Sequence, residues 1–317
     1  MRVEKKWGTG LFVFVWVFAY SLYSIPEQLY ASQEPVIYSE CIVEDEAGKS
    51  LRFPSSVFID TQAKEIYITD SMNRVIVYTS DFFPVYTIDK RQGIESPQGI
   101  TMDSEGNLYI LQNATKEHPK PRISVFNACF QWMHDIPLTD FEGAENFVPA
   151  GIAIDDNRNI YIAGSSFPGI LILNDHGRKK EIFSYENNGM PVRFNNVAVD
   201  KTGRLYMVSE INGRVYVFDK NRNFLFDFGE KGGSSGKLSR PQAVAICEQN
   251  HTVYVVDYMR HTVSAFNTDG KYLYEFGGLG WGEGWLQYPT DIAVDSEGKI
   301  LVADTFNDRV EVFKPNE

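Results

Sequence analysis

The sequence predicts an all-β protein, a six-bladed β-propeller of four-stranded antiparallel blades, on three observations. First, one motif is written six times, as "FPSSVFID", "SPQGITMD", "VPAGIAID", "RFNNVAVD", "RPQAVAIC" and "YPTDIAVD", anchored at Pro54, Pro97, Pro149, Phe194, Pro241 and Pro289. The anchors stand 43 to 52 residues apart, the span of a propeller blade and more than a leucine-rich or ankyrin repeat uses. Second, every copy keeps one order: a short apolar run, a turn such as "DSEGN" or "DKTGR", then runs such as "LYIL" and "RISVF". Strand-length pieces rich in Val, Ile, Tyr and Phe, joined by Asp, Asn and Gly, read as antiparallel meanders. Third, the first five copies add a fourth run ("FPVYTI", "FQWMHDI", "KEIFS", "FLFDF", "YLYEF"), whereas the sixth reaches Glu317 just after "RVEVF". One missing strand would leave an unpaired edge. The segment "VIYSECIV", residues 36 to 43, has the needed pattern and is expected to become the outer strand of the last blade, closing the ring.

The N-terminus differs in kind. "MRVEKK" feeds "LFVFVWVFAYSLYSI", 15 residues without a charge, up to Pro26. A basic start before a short apolar run is the architecture of an export signal, and the run is short for a bilayer span of about 20 residues. Residues 1–31 are therefore expected to be a signal peptide or an uncleaved N-terminal anchor, and residues 32–317 the propeller, exported to the periplasm or beyond, or anchored by that segment. The composition, 43% hydrophobic and 23% charged with a net charge of −12, suits a folded domain. It argues against nucleic acid or an anionic membrane surface as partner, since either needs a basic face. A membrane contact is expected only through the N-terminal segment, and a monomer is the expected state. Cys41, Cys129 and Cys247 form no CxxC or metal pair and are expected to be unpaired, mostly buried thiols.

The repeats carry a resemblance. "PQGITMDSEGNLYI" and "VADTFNDRVEVF" resemble the NHL repeats of six-bladed propellers over about residues 36–313. "YITD" at Tyr67 to Asp70 has the form of the YWTD class, but the Asn73-Arg74 pair after it is NHL-like. Lactonases and α-amidating lyases among six-bladed relatives build metal sites at the channel mouth, and no evident Glu or His stands at the matching positions here.

"FGEKGGSSGKLSRP", from Phe228, has the look of a phosphate cradle, but "FGGLGWGEGWLQYP", from Phe276, is its twin. Lys231 stands where a Walker loop needs Gly, and Leu238 where it needs Ser or Thr. Both loops are expected to carry the chain from an outer strand to the next inner strand. Asp60, Asp103, Asp155, Asp200 and Asp295 recur after the inner strands and are expected to cap hairpins, and the EF-hand ligand pattern is not reproduced. Asp70, Asp257 and Asp304 should brace the next turn, and Tyr67, Tyr109, Tyr161, Tyr206 and Tyr254 should pack between blades.

Strand alternation sends the crossing loops and the turns between second and third strands to one loop-rich face. There the first residues of the inner strands, Ser56, Gln98, Asn195, Asn196, Gln242 and Asp291, should line the channel mouth, where propellers place ligands. No cofactor is expected; a metal held there would be Ca²⁺ on Asp291 and Asn196, although one carboxylate is a thin supply for it. The same face should present Trp281 and Trp285, and the insertion "NATKEHPKP" at Asn113 to Pro121. The five histidines, His118, His134, His176, His251 and His261, fall at unmatched positions, and no Gly-x-Ser-x-Gly elbow is present. The expected function is that of a non-catalytic binding or scaffold module for a protein or other envelope component. The alternative is a metal-dependent hydrolase or lyase at the channel mouth. A third reading is glycan binding by Trp281 and Trp285.

Overall fold

The computed structural model describes residues 35–174 and 176–316. The expected signal or anchor at residues 1–31 lies outside them. Within the described residues no helix is long and apolar enough to cross a membrane.

Six four-stranded antiparallel sheets are described. Their inner strands are Ser56–Asp60, Pro97–Met102, Pro149–Ile154, Asn196–Val199, Pro241–Cys247 and Asp291–Val294. Each sheet continues outward in chain order; blade 1, for example, adds Glu65–Asp70, Arg74–Thr79 and Pro84–Ile88. In blade 6 the outer strand is Val36–Ile42, paired antiparallel with Arg309–Pro315 so that Cys41 faces Glu311. Each inner strand touches the inner strands of both neighbouring blades, including the last against the first, so the six enclose a channel.

The second and third strands read as near-continuous apolar runs because both faces of each sheet are covered by neighbouring blades. In the second strand of every blade after the first, all residues are buried. Six hydrophobic clusters result, each filling one seam; the sixth joins Ile66, Ile68 and Tyr78 of blade 1 to Leu301 and Val312 of blade 6. The repeated tyrosines lie in these seams as expected. Tyr109, Tyr161 and Tyr206 also donate their hydroxyls to Asp103, Asp155 and Asp200. Those aspartates are hairpin caps: the Asp103 Oδ1 accepts the Glu105 and Asn107 amides at 3.0 and 2.9 Å, and Asp295 treats Glu297 and Lys299 alike.

The crossing loops reuse one device. Leu51, Ile94, Leu238 and Leu286, each three residues before an anchor proline, are fully buried plugs. The amide after each plug donates to the residue ending the second strand of the same blade: Asp70, Gln112, Asp257 and Asp304 respectively. An arginine at or just before the third strand then reaches back to the crossing loop. Arg74 donates to the Ser50 carbonyl, Arg122 to Gly93, Arg260 to Ser234 and Arg309 to Gly282. This clip was readable as the recurring Arg of "NRVIVY", "PRISVF" and "NDRVEVF", but its target was not.

One expectation about the thiols fails. All three cysteines are free, but Cys247 alone is buried, with Cys41 half-buried and Cys129 exposed. Cys129 sits in the tight turn before an outer strand, where its amide donates to the capping Asn127 Oδ1 and its side chain has no core to enter.

Candidate functional site

The six expected mouth residues, Ser56, Gln98, Asn195, Asn196, Gln242 and Asp291, all line one cavity of about 450 Å³ along the channel. The structure divides them by what their side chains already do. Asn195 is consumed by the seam between blades 4 and 5: its amide nitrogen donates to the carbonyls of Pro241 and Gln242 at 3.1 and 3.0 Å, and its oxygen accepts the Glu210 amide. Gln98 folds onto the Ser96 and Pro97 carbonyls.

Asp291 does for the last seam what Asn195 does for the fourth. Its Oδ2 accepts the Val57 amide of blade 1 at 2.9 Å, its Oδ1 accepts the Ile292 amide, and the Ser56 hydroxyl adds a third donor. Burial in the channel wall outweighs these bonds and pushes its carboxyl up to about 6. Thr290 and Thr305 strengthen the seam by donating to the Ser55 and Pro54 carbonyls.

Asn196 and Gln242 are half-buried in the same wall, with Asn196 against Gly151 of blade 3. The mouth thus offers one committed carboxylate among neutral amides. That donor set does not match calcium, which takes six to eight oxygens including several carboxylates. Among the described residues, no group of three or more His, Cys, Asp or Glu converges as metal ligands would.

Residues missed by sequence reasoning form a second feature of the loop-rich face. Phe53, Phe306, Tyr288 and Tyr258 make a chain of ring contacts at 5.5, 4.9 and 4.8 Å across blades 1, 6 and 5. Arg52 lies over Phe53 at one end and Arg240 over Tyr258 at the other, 5.6 and 5.9 Å from the ring centres. Phe53 and Tyr288 both precede a proline yet hold φ of +44° and +51°, a left-handed conformation that costs an aromatic residue on the order of 1–3 kcal/mol. The only sequence signal was the Phe-Pro and Tyr-Pro pairs. The turn position that Phe306 occupies in blade 6 is filled in three other blades by Met72, Ile211 and Met259, and all four side chains are exposed.

Trp281 and Trp285 sit on the crossing loop that also carries Tyr288. Trp281 is 78% exposed; Trp285, also exposed, folds back on Gly278 and Gly280, where an added Cβ would stand 2.8 Å from its ring and 2.9 Å from its Cβ. The insertion from Asn113 to Pro121 is pinned: Thr115 and His118 both bond the Glu95 carboxylate, which they hold well below its usual range.

A family model described as SMP-30/Gluconolactonase/LRE-like region matches residues 137–317. No curated protein matches the chain. Among solved structures, an auxiliary nutrient binding protein from Bacteroides ovatus ATCC 8483 superposes with a TM-score of 0.67 at 14% identity, over 89% of this chain and 77% of that one. A second auxiliary nutrient binding protein, from Bacteroides thetaiotaomicron VPI-5482, gives 0.67 at 12% identity over 89% and 76%. Virginiamycin B lyase from Staphylococcus aureus gives 0.58 at 15% identity over 83% and 95%. At these identities the likeness is one of fold.

Proposed function

Because the chain belongs to the SMP-30/gluconolactonase/LRE-like family, in which a six-bladed ring is the working frame, we propose that it is an exported, non-catalytic propeller of NHL-type repeats. In this reading it binds a protein or other envelope component through its loop-rich face. The observation that carries this reading is the aromatic arc from Phe53 to Tyr258, capped by Arg52 and Arg240, with Trp281 exposed on the crossing loop that also carries Tyr288. Tyr, Trp and Arg are the side chains on which binding energy concentrates; Phe53, Phe306 and Trp281 expose their rings, with Tyr258 and Tyr288 half-buried beside them. The basic N-terminal segment and the names of the two Bacteroides neighbours support export and ligand capture at the envelope. The binding unit is a monomer, without cofactor, nucleic acid or membrane contact of its own.

The test is affinity capture from an envelope fraction, with the captured component identified and then titrated against purified protein. Loss of that binding in Trp281→Ala and Phe306→Ala supports the assignment, and retention in both overturns it.

The match to a gluconolactonase-like family model supports a second reading, a hydrolase or lyase at the channel mouth in which Asp291 moves a proton and no metal is held, since the donor set does not fit one. Asp291 is a carboxyl pushed up to about 6 in a 450 Å³ cavity, a setting suited to proton transfer near neutral pH. Turnover separates the two: hydrolysis of lactone substrates by the purified protein, lost in Asp291→Asn, supports the enzyme, and no turnover by the folded protein removes it.

A further inference from the structure

The loop from Phe276 to Pro289 closes over a carboxyl that its surroundings do not serve. Glu311, on the third strand of blade 6, is fully buried. Arg309 Nη2 stands 2.6 Å from its Oε1, but the two hydrogens of that nitrogen go to the Gly282 and Trp285 carbonyls, each at 2.8 Å, and Nε goes to Asp304. Oε1 is left without a hydrogen bond, and Oε2 has only the Gly284 amide at 3.4 Å, beyond the usual N–H···O range. A buried carboxylate short of donors is costly, and the cost is relieved when it is protonated or when water reaches it.

The other blades provide the control. At the matching register of the third strand stand Ile76, Ser124, Leu171, Tyr216 and Ser264, none of them acidic. The cover over Glu311 is thin: Gly284 lies against Tyr38 and Phe313, and the stretch from Trp281 to Glu283 is exposed on its outer side. Arg309 and Asn307, which donates to the Gly280 carbonyl, tie that stretch to blade 6. The titratable and charged groups around Glu311 are Arg309 and Asp304 from its own sheet, Tyr38 and Cys41 from the outer strand, Glu283 from the loop and His261 from blade 5. Burial pushes the Tyr38 phenol up and the His261 imidazole down, away from neutral pH. Asp304 is raised by burial too, but the Gln287 amide, Asn307 and Arg309 all donate to it. Asp304 and Glu283 both oppose a further negative charge on Glu311.

We propose that Glu311 is a proton-operated latch for the Trp281 loop: protonated, it lies under a closed loop; ionised, it draws in water and the segment from Trp281 to Trp285 lifts from blade 6. Burial, which pushes the carboxyl up to about 7 from 4.5, acts on the closed form alone, so closure is favoured in acid and weakens as pH rises through 7. The latch does not depend on the binding reading, although Trp281 rides on the same loop.

Amide hydrogen exchange of the full chain between about pH 6 and 8 tests it, with the twin loop as reference for the intrinsic pH dependence of exchange. The Gly280 and Trp285 amides donate to the Leu286 and Gly282 carbonyls; at the same places in the twin, Gly232 and Lys237 donate to Leu238 and Ser234. Protection of the first pair relative to the second should fall about 10-fold over that span, the change given by a carboxyl of about 7 when covered and 4.5 when open. In Glu311→Gln, and in Glu311→Ser, which installs the side chain found in blade 5, the ratio should stay constant. A constant ratio in the wild-type chain overturns the latch, and so does an equal fall in either folded variant.

Discussion

The two crossing loops at residues 228–241 and 276–289 have one skeleton and opposite surfaces. In each, a leucine plug (Leu238, Leu286) sits in the seam and its amide bonds a carbonyl eight residues back, Glu230 or Gly278. Each forms a short parallel bridge, Lys231 to Leu238 and Leu279 to Leu286, and each is gripped by an arginine, Arg260 or Arg309. Outward, the first loop shows a Lys237–Glu230 ion pair, the second an exposed Leu279 and Trp281. Even the carboxylate serving the arginine has moved: Glu275 stands on the outer strand of blade 5, whereas in blade 6 Glu311 stands on the third strand, opposite Cys41. The fold thus constrains the plug, the glycines and the presence of an Arg–carboxylate pair, and leaves the surface free for function.

The largest expected effects test the grips. Arg309→Ala strands Asp304 and Glu311, both fully buried, and should cost about 3–5 kcal/mol. Arg260→Ala leaves a partly exposed Glu275 and should cost about 1–3 kcal/mol; urea unfolding of both variants gives the ratio, and equal losses would break the contrast. Leu238→Ala and Leu286→Ala should each cost about 2–5 kcal/mol, and a large difference between them in the same assay would show that the loops are not equivalent.

A smaller effect separates the loops by pH. Burial pushes Glu311 up to about 7 from 4.5, while Ser264 occupies its place in blade 5. Asp291 is pushed up to about 6 from 3.8. For both carboxyls the folded value exceeds the unfolded one, so their contribution is full below about pH 4 and is lost as pH rises through 6 and 7. The thermal midpoint should fall across that window, by on the order of 1–3 kcal/mol in stability, and Glu311→Gln should flatten the upper part of the fall. Trp281→Ala should change stability least, within about 0.5 kcal/mol, while weakening partner binding; denaturant midpoints and titration measured together check both halves.

The site was legible only in part. Asn195 and Asp291 break the repeat, an irregularity that singled them out, and both line the channel cavity. It could not show that Asn195 is bonded to residues 46 and 47 positions away, or Asp291 to one 234 positions away. The aromatic arc escaped notice because its members, residues 53, 258, 288 and 306, become neighbours only when the ring closes.

What the sequence by itself determined is what repeats locally: blade number, strand order, hairpin caps and crossing loops, each set by side-chain periodicity and turn chemistry within a few dozen residues. What only the tertiary structure decided lies in the seams: which polar groups are consumed as clips, where the aromatic rings meet, and which carboxyl is left with bonds unmade. Those outcomes depend on side chains brought together from separate blades, and no local pattern encodes the pairing.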